Sequence, residues 1–155
     1  MQQNGRFLDL KNKREKAFLP FKTQLFHIQV VRYACSECID LGNGVFSSCE
    51  ALETVYAPKA TNLGAIEFMM CTSLMKVTLG SVVSVNQLYE SIDNGLFCLA
   101  NDTKNIELVL SSEQKVMTFD SGTKYWTATE TDYNGSDYHN NKSFIGYTFK
   151  SVTLQ

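Results

Sequence analysis

Cysteine is the residue type in this chain whose spacing is most suggestive of chemistry. The 155-residue sequence holds five, and Cys35-x-x-Cys38 has the spacing of half a zinc site or of a redox pair. A structural zinc site normally needs a second such pair, and none is present. Cys49 and Cys71 stand at equivalent positions of two similar segments, described below. We predict core cysteines rather than a metal site. A Cys49–Cys71 disulfide is geometrically conceivable, but the odd cysteine total argues against a disulfide framework.

The two histidines, His27 and His139, do not complete a catalytic site. A triad or a metal centre would need a histidine near a nucleophile or near further ligands. His27 sits in an apolar, strand-like run, and His139 lies in a polar segment. No Walker loop, nucleophile elbow or dinucleotide fingerprint occurs. We therefore predict a protein that is not an enzyme, with no catalytic residues, no bound cofactor and no metal.

A repeated segment is the strongest feature of the sequence. Residues 46–55 recur as residues 68–77, and Phe, Cys, Leu and Val keep their places in both copies. A fixed period of about 20 to 45 residues is typical of solenoids, in which stacked units bury a shared core. We divide the chain into units 23–45, 46–67 and 68–89, followed by a degenerate unit. The predicted buried scaffold positions are Phe46, Cys49, Leu52, Val55, Leu63, Phe68, Cys71, Leu74 and Val77.

Short strands are predicted within each unit because apolar and polar residues alternate there. Val55, Val77 and Leu79 are expected to face the core. The residues expected to face solvent instead are Thr54, Tyr56, Lys76 and Thr78. The spacing Phe-x-x-Cys-x-x-Leu places three apolar side chains three residues apart, which suits the inward face of a short helical turn.

The combined motif resembles a known family. Phe-x-x-Cys-x-x-Leu-x-x-Val followed by Pro-x-Ala-Thr-x-Leu-Gly, as in residues 46–64, is similar to the BspA-type leucine-rich repeat of bacterial surface proteins. The resemblance covers about residues 28–155. It implies a β-rich solenoid with α+β elements, a short right-handed leucine-rich-repeat coil of about three regular 22-residue units with a modified C-terminal β cap.

The same resemblance implies a division of the chain and a location. Residues 1–22 are expected to form an N-terminal arm or irregular cap, and residues 23–155 the repeat domain, whose end module carries an insert loop at 117–145. The family implies a cell-surface or extracellular protein. Residues 1–16 contain no apolar core of a signal peptide, so this chain departs from the family there.

The function implied by the resemblance is non-enzymatic adhesion, the binding of a host or bacterial surface protein through the repeat surface. One candidate face consists of Thr54, Tyr56, Lys76 and Thr78. The aromatic loop 119–141, with Tyr125, Tyr133 and Tyr138, supports an alternative, carbohydrate binding. Trp126 in that loop could instead seal the last core layer. A structural spacer within a larger surface protein is the remaining alternative.

Composition narrows the possible partners. The formal net charge of −2 argues against a nucleic-acid partner, which normally selects a clustered basic surface. No run approaches the roughly 18 consecutive apolar residues of a membrane-spanning helix, so no membrane span is predicted. The sequence leaves the oligomeric state open.

Overall fold

The structure, a computed structural model, describes residues 6–9, 30–87, 95–135 and 142–155, with residues 6–9 described by their backbone alone. The strands in chain order are β1 Arg6–Asp9, β2 Val30–Ala34, β3 Asp40–Leu41, β4 Thr54–Ala57, β5 Asn62–Leu63, β6 Lys76–Leu79, β7 Ser84–Asn86, β8 Glu107–Leu110, β9 Lys115–Asp120, β10 Tyr125–Asp132, β11 Ser143–Phe144, β12 Tyr147–Thr148 and β13 Ser151–Leu154. A 3-10 helix, Thr103–Asn105, precedes β8.

The largest sheet, here the first sheet, has the strand order β1-β2-β4-β6-β8-β13, and every neighbouring pair in it is parallel. Thr54 pairs with Lys76 and Val55 with Val77, so the sequence period is also the register between β4 and β6. The inward side chains are apolar because parallel strands bury that face against the rest of the chain. Between β6 and β8 the sequence interval that separates paired residues is longer, as the pairing of Lys76 with Glu107 shows.

The second sheet has the order β3-β5-β7-β10-β9 and is mixed. Its first three strands are parallel, and β10 pairs antiparallel with both β7 and β9. Polar side chains connect the short parallel strands. Asn62 Nδ2 donates to Asp40 Oδ1, and Ser84 Oγ donates to Asn62 Oδ1 at 2.8 Å. The remaining sheet is the two-stranded pair β11–β12.

A row of aromatic rings in contact runs through the core. Phe46 and Phe68 lie 5.6 Å apart and nearly parallel, and Phe68 and Phe97 lie 5.0 Å apart. Tyr33 meets Phe46 edge-on at 4.7 Å, and Tyr147 meets Phe97 edge-on at 5.2 Å. All the scaffold positions named from the sequence are buried, as expected from their repetition.

The predicted fold class, a short right-handed leucine-rich-repeat solenoid with α+β elements, is wrong. The described residues form three separate sheets, one parallel, one mixed and one antiparallel, and none of them is closed. Of the part of the chain that the structure describes, 41% is strand and only 3% is helix. The register explains the difference. Pairing at the constant interval ends at β6 and β7, after which the interval changes and the antiparallel β9–β10 hairpin joins the second sheet.

The helical turn expected for the Phe-x-x-Cys-x-x-Leu run is also absent from the described residues. These segments form turns instead, in which Cys49 N–H donates to the Phe46 oxygen at 3.0 Å and Cys71 N–H to the Phe68 oxygen at 3.1 Å. Ser48 has a φ of 63° and Met70 a φ of 59°, both in the left-handed region. A right-handed helical turn cannot pass through such a residue, so the repeating backbone conformation at this position excludes the helix.

The segment predicted as an insert loop, residues 117–145, contains regular structure. Most of β9 and all of β10 fall within it, and they form a hairpin in which Trp126 pairs with Phe119. Alternation of apolar and polar residues is weak here, since most of the β10 side chains are exposed or half-buried. Periodicity therefore does not identify this strand, although its threonines and aromatic residues are good strand formers.

Two of the cysteines differ from their predicted bonding state. Cys35 and Cys38 are buried as expected, but they form a disulfide, with their Cα atoms 5.5 Å apart. Cys49 and Cys71 are buried free thiols, and Cys71 Sγ donates to the backbone oxygen of Phe46 at 3.0 Å. The conceivable Cys49–Cys71 disulfide is not formed.

Several predictions fall on residues that the structure leaves undescribed. His27, Tyr138 and His139 lie outside the described residues, as does most of the expected N-terminal arm, residues 1–22. Within that arm, Arg6–Asp9 form β1, which pairs in parallel with β2 at one end of the first sheet.

Candidate binding surface

The outward side of the first sheet holds the predicted repeat-surface residues. In β2, β4, β6 and β8, successive side chains alternate between the core and the opposite side. We call that opposite side the outer face. Its two rows across the strands are Arg32, Thr54, Lys76 and Glu107, and next to them Ala34, Tyr56, Thr78 and Val109.

Three residues of the outer face are open to solvent. Tyr56 is 48% exposed, and Arg32 and Lys76 are also exposed. Thr54 is half-buried between these two cations, since it pairs with Arg32 on one side and with Lys76 on the other. The constant register thus gathers an aromatic ring and two positive charges on three adjacent strands.

Thr78, predicted to face solvent, is only 4% exposed, and that prediction is wrong. It belongs to the outer face by register, with Tyr56 on one side and Val109 on the other. Neighbouring side chains on one face of a sheet lie about 5 Å apart. A short threonine in a central strand is shielded by larger neighbours at that distance, so it contributes little to a contact surface.

Among the outer-face side chains that the structure describes, two are cationic, Arg32 and Lys76, and one is acidic, Glu107. Lys150 Nζ lies 2.7 Å from Glu107 Oε1. The hydrogen bond and the charge of Lys150, followed by the charge of Lys76, hold the pKa of Glu107 below its usual range. One carboxylate is therefore shared by two lysines. An exposed ion pair of this kind stabilises the fold little, but it fixes where the charge sits.

The aromatic residues proposed for carbohydrate binding are spread over different environments. Tyr125 in β10 is 39% exposed. Trp126 is half-buried: its ring lies 5.3 Å from that of Phe119, and its Nε1 donates to Gln87 Oε1 at 2.5 Å. These contacts favour the structural role considered for Trp126, because its polar edge already has a partner within the protein.

Tyr133, the next aromatic residue of that group, is only 2% exposed, so its prediction as a surface residue is wrong. Its hydroxyl donates to the backbone oxygen of Ser143, and its ring meets Phe144 edge-on at 5.5 Å. A tyrosine is stable inside a protein when its hydroxyl has such a partner. Sequence alone did not reveal that partner.

The structure separates the predicted binding residues into two groups. Tyr56 and Lys76 lie on the first sheet, whereas Tyr125 lies on the second. They are candidates for two different surfaces rather than parts of one.

Sequence reasoning missed three residues of the first surface: Arg32, Glu107 and Lys150. Arg32 was detectable, because it precedes Thr54 by the same interval that separates Thr54 from Lys76. Glu107 pairs with Lys76 across a longer and irregular interval, so no period identified it.

The hairpin turn between β9 and β10 is held by Asp120. Its carboxylate accepts hydrogen bonds from the backbone N–H of Gly122 at 2.8 Å and from the hydroxyl of Thr123 at 3.0 Å. These bonds, the Gly122 N–H first, hold the pKa of Asp120 below its usual value. The carboxylate thus fixes the turn that precedes the exposed Tyr125.

A metal centre and a membrane-spanning helix are both missing from the part of the chain that the structure describes. No three His, Cys, Asp or Glu side chains are grouped there so that they could hold a metal ion. No described helix combines the length and apolar character required to cross a bilayer.

Comparison with protein-family models, curated proteins and solved structures finds no match to this chain. The resemblance to the BspA-type repeat consequently depends on the motif residues themselves.

Proposed function

We propose that this protein is a non-enzymatic binding module that contacts another protein through the outer face of its first sheet. The exposed set of Tyr56, Arg32 and Lys76 on three adjacent parallel strands is the observation that carries the proposal. Tyrosine and arginine are enriched among the residues that dominate binding energy at protein interfaces. Their position on a hydrogen-bonded sheet lowers the entropic cost of ordering them on binding.

The chemistry of this surface favours a partner that presents carboxylates around a pocket able to take an aromatic ring. Arg32 and Lys76 supply the positive charge, and Lys150 leaves little of the Glu107 charge uncompensated. The similarity of residues 46–64 to the BspA-type repeat supports a place at the bacterial cell surface. On that basis the partner is a host or bacterial surface protein.

The test is direct binding of the purified chain to immobilised extracellular-matrix proteins and mucins. We expect saturable binding that Tyr56→Ala weakens by about 30-fold, corresponding to about 2 kcal/mol for a central aromatic contact. Lys76→Glu should weaken it further as salt is lowered, because the reversed charge then repels a carboxylate partner more strongly.

Tyr125→Ala is the matched control, since it removes a comparably exposed tyrosine from the other sheet. It should leave protein binding unchanged. Equal binding by wild type, Tyr56→Ala and Lys76→Glu to every partner found would contradict the proposal.

Carbohydrate binding is the second candidate, and the exposed ring of Tyr125 beside the polar β9–β10 turn favours it. Sugar rings stack on exposed aromatic faces, and Trp126 is available only in part. A glycan array on which wild type binds and Tyr125→Ala does not would replace the first proposal with this one. Absence of ligands in both experiments would favour a structural spacer.

A further inference from the structure

Glu67 is a carboxylic acid in the middle of an apolar core. Its side chain is completely buried, and neither Oε1 nor Oε2 has a hydrogen-bond partner among the described residues. Its backbone oxygen accepts from Phe46 N–H at 3.1 Å, as the backbone oxygen of Leu96 accepts from Phe68 N–H at 2.9 Å in the next layer. Glu67 therefore occupies a position that the apolar Leu96 fills in the next stacked unit. Filling the core does not by itself require a carboxyl group there.

The titratable groups near Glu67 are acids rather than bases. They are Tyr33 from β2 and the thiols of Cys49 and Cys71 from the two turns that stack beside it. A cationic side chain that could compensate a buried carboxylate is not found among these neighbours. A buried ionised carboxylate without a counter-charge is very costly, so burial raises the pKa of Glu67 well above its usual value.

We propose that Glu67 is a built-in pH-responsive element: its carboxyl is protonated in the packed protein, and its ionisation at rising pH opens the layer between Phe46 and Phe68. This inference concerns the core and is independent of what the outer face binds. Opening that layer would also expose the buried thiols of Cys49 and Cys71.

The sign follows from proton linkage. The folded protein holds the Glu67 proton to a higher pH than the unfolded chain, whose glutamate has an ordinary pKa. Folding is therefore favoured most at or below the unfolded pKa. The unfolding constant rises with pH above that value, by up to about tenfold per pH unit for one proton, until the folded pKa is passed.

The neighbouring groups do not titrate in the same window. Burial, followed by the charge of Glu67, raises the pKa of Tyr33 to about 12. Burial above all, together with the charges of Cys49 and Glu67, raises the pKa of Cys71 to about 12, and burial likewise raises that of Cys49. Glu107 and Asp120, whose pKa values are lowered, are already ionised above about pH 5. Between about pH 5 and pH 8, Glu67 is the group in this cluster that can respond.

The experiment measures urea unfolding of the whole chain at several pH values between about 5 and 8 for wild type, Glu67→Gln and Glu67→Leu. Gln keeps the size and the unpaired polar atoms but cannot ionise, so it isolates the proton. We expect the wild-type unfolding constant to rise by up to about tenfold per pH unit and the Glu67→Gln constant to rise much less. Any contribution of His27 and His139 to the pH dependence of the unfolding constant is common to wild type and Glu67→Gln, so it cancels in the comparison.

Equal pH slopes for wild type and Glu67→Gln would overturn the proposal. Glu67→Leu keeps the test decisive if the Gln variant does not fold, because Val45 and Leu96 show that apolar side chains fit adjacent layers. Infrared difference spectra of wild type against the folded variant give a direct check at neutral pH. A carboxylic-acid carbonyl band present only in wild type supports the proposal, and an ionised carboxylate band in its place overturns it.

Discussion

At the residue scale, Gly64 occupies a place where the backbone of a neighbouring unit leaves no room for a side chain. A Cβ built there would lie 2.3 Å from the carbonyl carbon of Gly42 and 2.4 Å from the backbone nitrogen of Asn43. Rigid backbone atoms cannot give way as a flexible side chain can. In the second copy of the repeated Leu-Gly pair, Leu63-Gly64, the glycine is therefore required for steric reasons.

Gly64→Ala is expected to destabilise the protein by about 3 kcal/mol or more, because two stacked backbone segments must separate to accept the methyl group. Urea unfolding measures the change. Gly42→Ala is the matched control: a Cβ there meets only Val45 Cγ2, at an ordinary 3.6 Å, and its effect should stay within about 1 kcal/mol. Equal effects of the two substitutions would show that the close approach is not rigid.

At the scale of elements, Gln114 connects segments that lie outside the regular register. Its side chain is buried, with Oε1 accepting from Val82 N–H at 2.7 Å and Nε2 donating to the oxygens of Val82 at 2.9 Å and Lys115 at 2.7 Å. Its backbone oxygen accepts from Tyr133 N–H at 2.8 Å. One side chain thus supplies the hydrogen bonds that strand pairing provides between the earlier units.

Gln114→Ala should cost about 2 to 4 kcal/mol, because it leaves the buried polar groups of Val82 without partners at roughly 1 to 3 kcal/mol each. Denaturant unfolding gives the total, and hydrogen exchange should show faster exchange of the Val82 amide. Glu113→Ala, one residue earlier and exposed, is the control and should change stability by no more than about 0.5 kcal/mol. Unchanged protection of Val82 in Gln114→Ala would contradict this account.

At the scale of the whole molecule, the chain of aromatic rings from Tyr33 through Phe46, Phe68 and Phe97 to Tyr147 makes the core continuous. Each successive pair is 4.7 to 5.6 Å apart, from the second strand of the first sheet to β12. The same buried cluster also contains Leu41, Leu63 and Val85 of the second sheet, so the described part of the chain should unfold as a single cooperative unit.

Phe68→Ala removes the central ring and should destabilise the protein by about 3 to 5 kcal/mol, lowering Tm by roughly 10 °C. If the sheets unfold together, far-UV circular dichroism and the fluorescence of Trp126 should report the same loss of stability. Trp126 lies in the second sheet. Met75→Ala, at an exposed position, serves as the control and should be nearly neutral. Two separate transitions by the two probes would show that the sheets unfold independently.

The repeated part of the fold was largely predictable from sequence, and the rest was not. Phe46, Leu52 and Val55 recur at a constant interval, and their burial follows because side chains at equal intervals stack in one core. Beyond β7 the interval between paired residues lengthens, and hydrogen bonds such as that of Trp126 with Gln87 join residues with no common period. The expected fold class was wrong because it placed the whole repeat domain in one coil, whereas the described residues after β7 include the antiparallel β9–β10 hairpin and the separate β11–β12 pair.

The candidate surface was likewise predictable only in part. Tyr56 and Lys76 were identified from alternation within a strand, and they are exposed. Thr78 follows the same alternation but is buried, and Tyr133, predicted to be exposed because it belongs to a polar aromatic segment, is buried too. Exposure depends on the size of cross-strand neighbours and on distant partners. Local pattern assigns a side of the strand, but it does not say what lies over that side.

By itself, the sequence determined the constant register of the early strands and the apolar positions that fill the core, because both depend on the spacing of like residues along the chain. Only the tertiary structure decided the antiparallel attachment of β10 to β7, the Cys35–Cys38 disulfide and the unpartnered burial of Glu67. Each of these depends on which groups meet in space and which charges lack partners there. Those are properties of the packed chain that no spacing encodes.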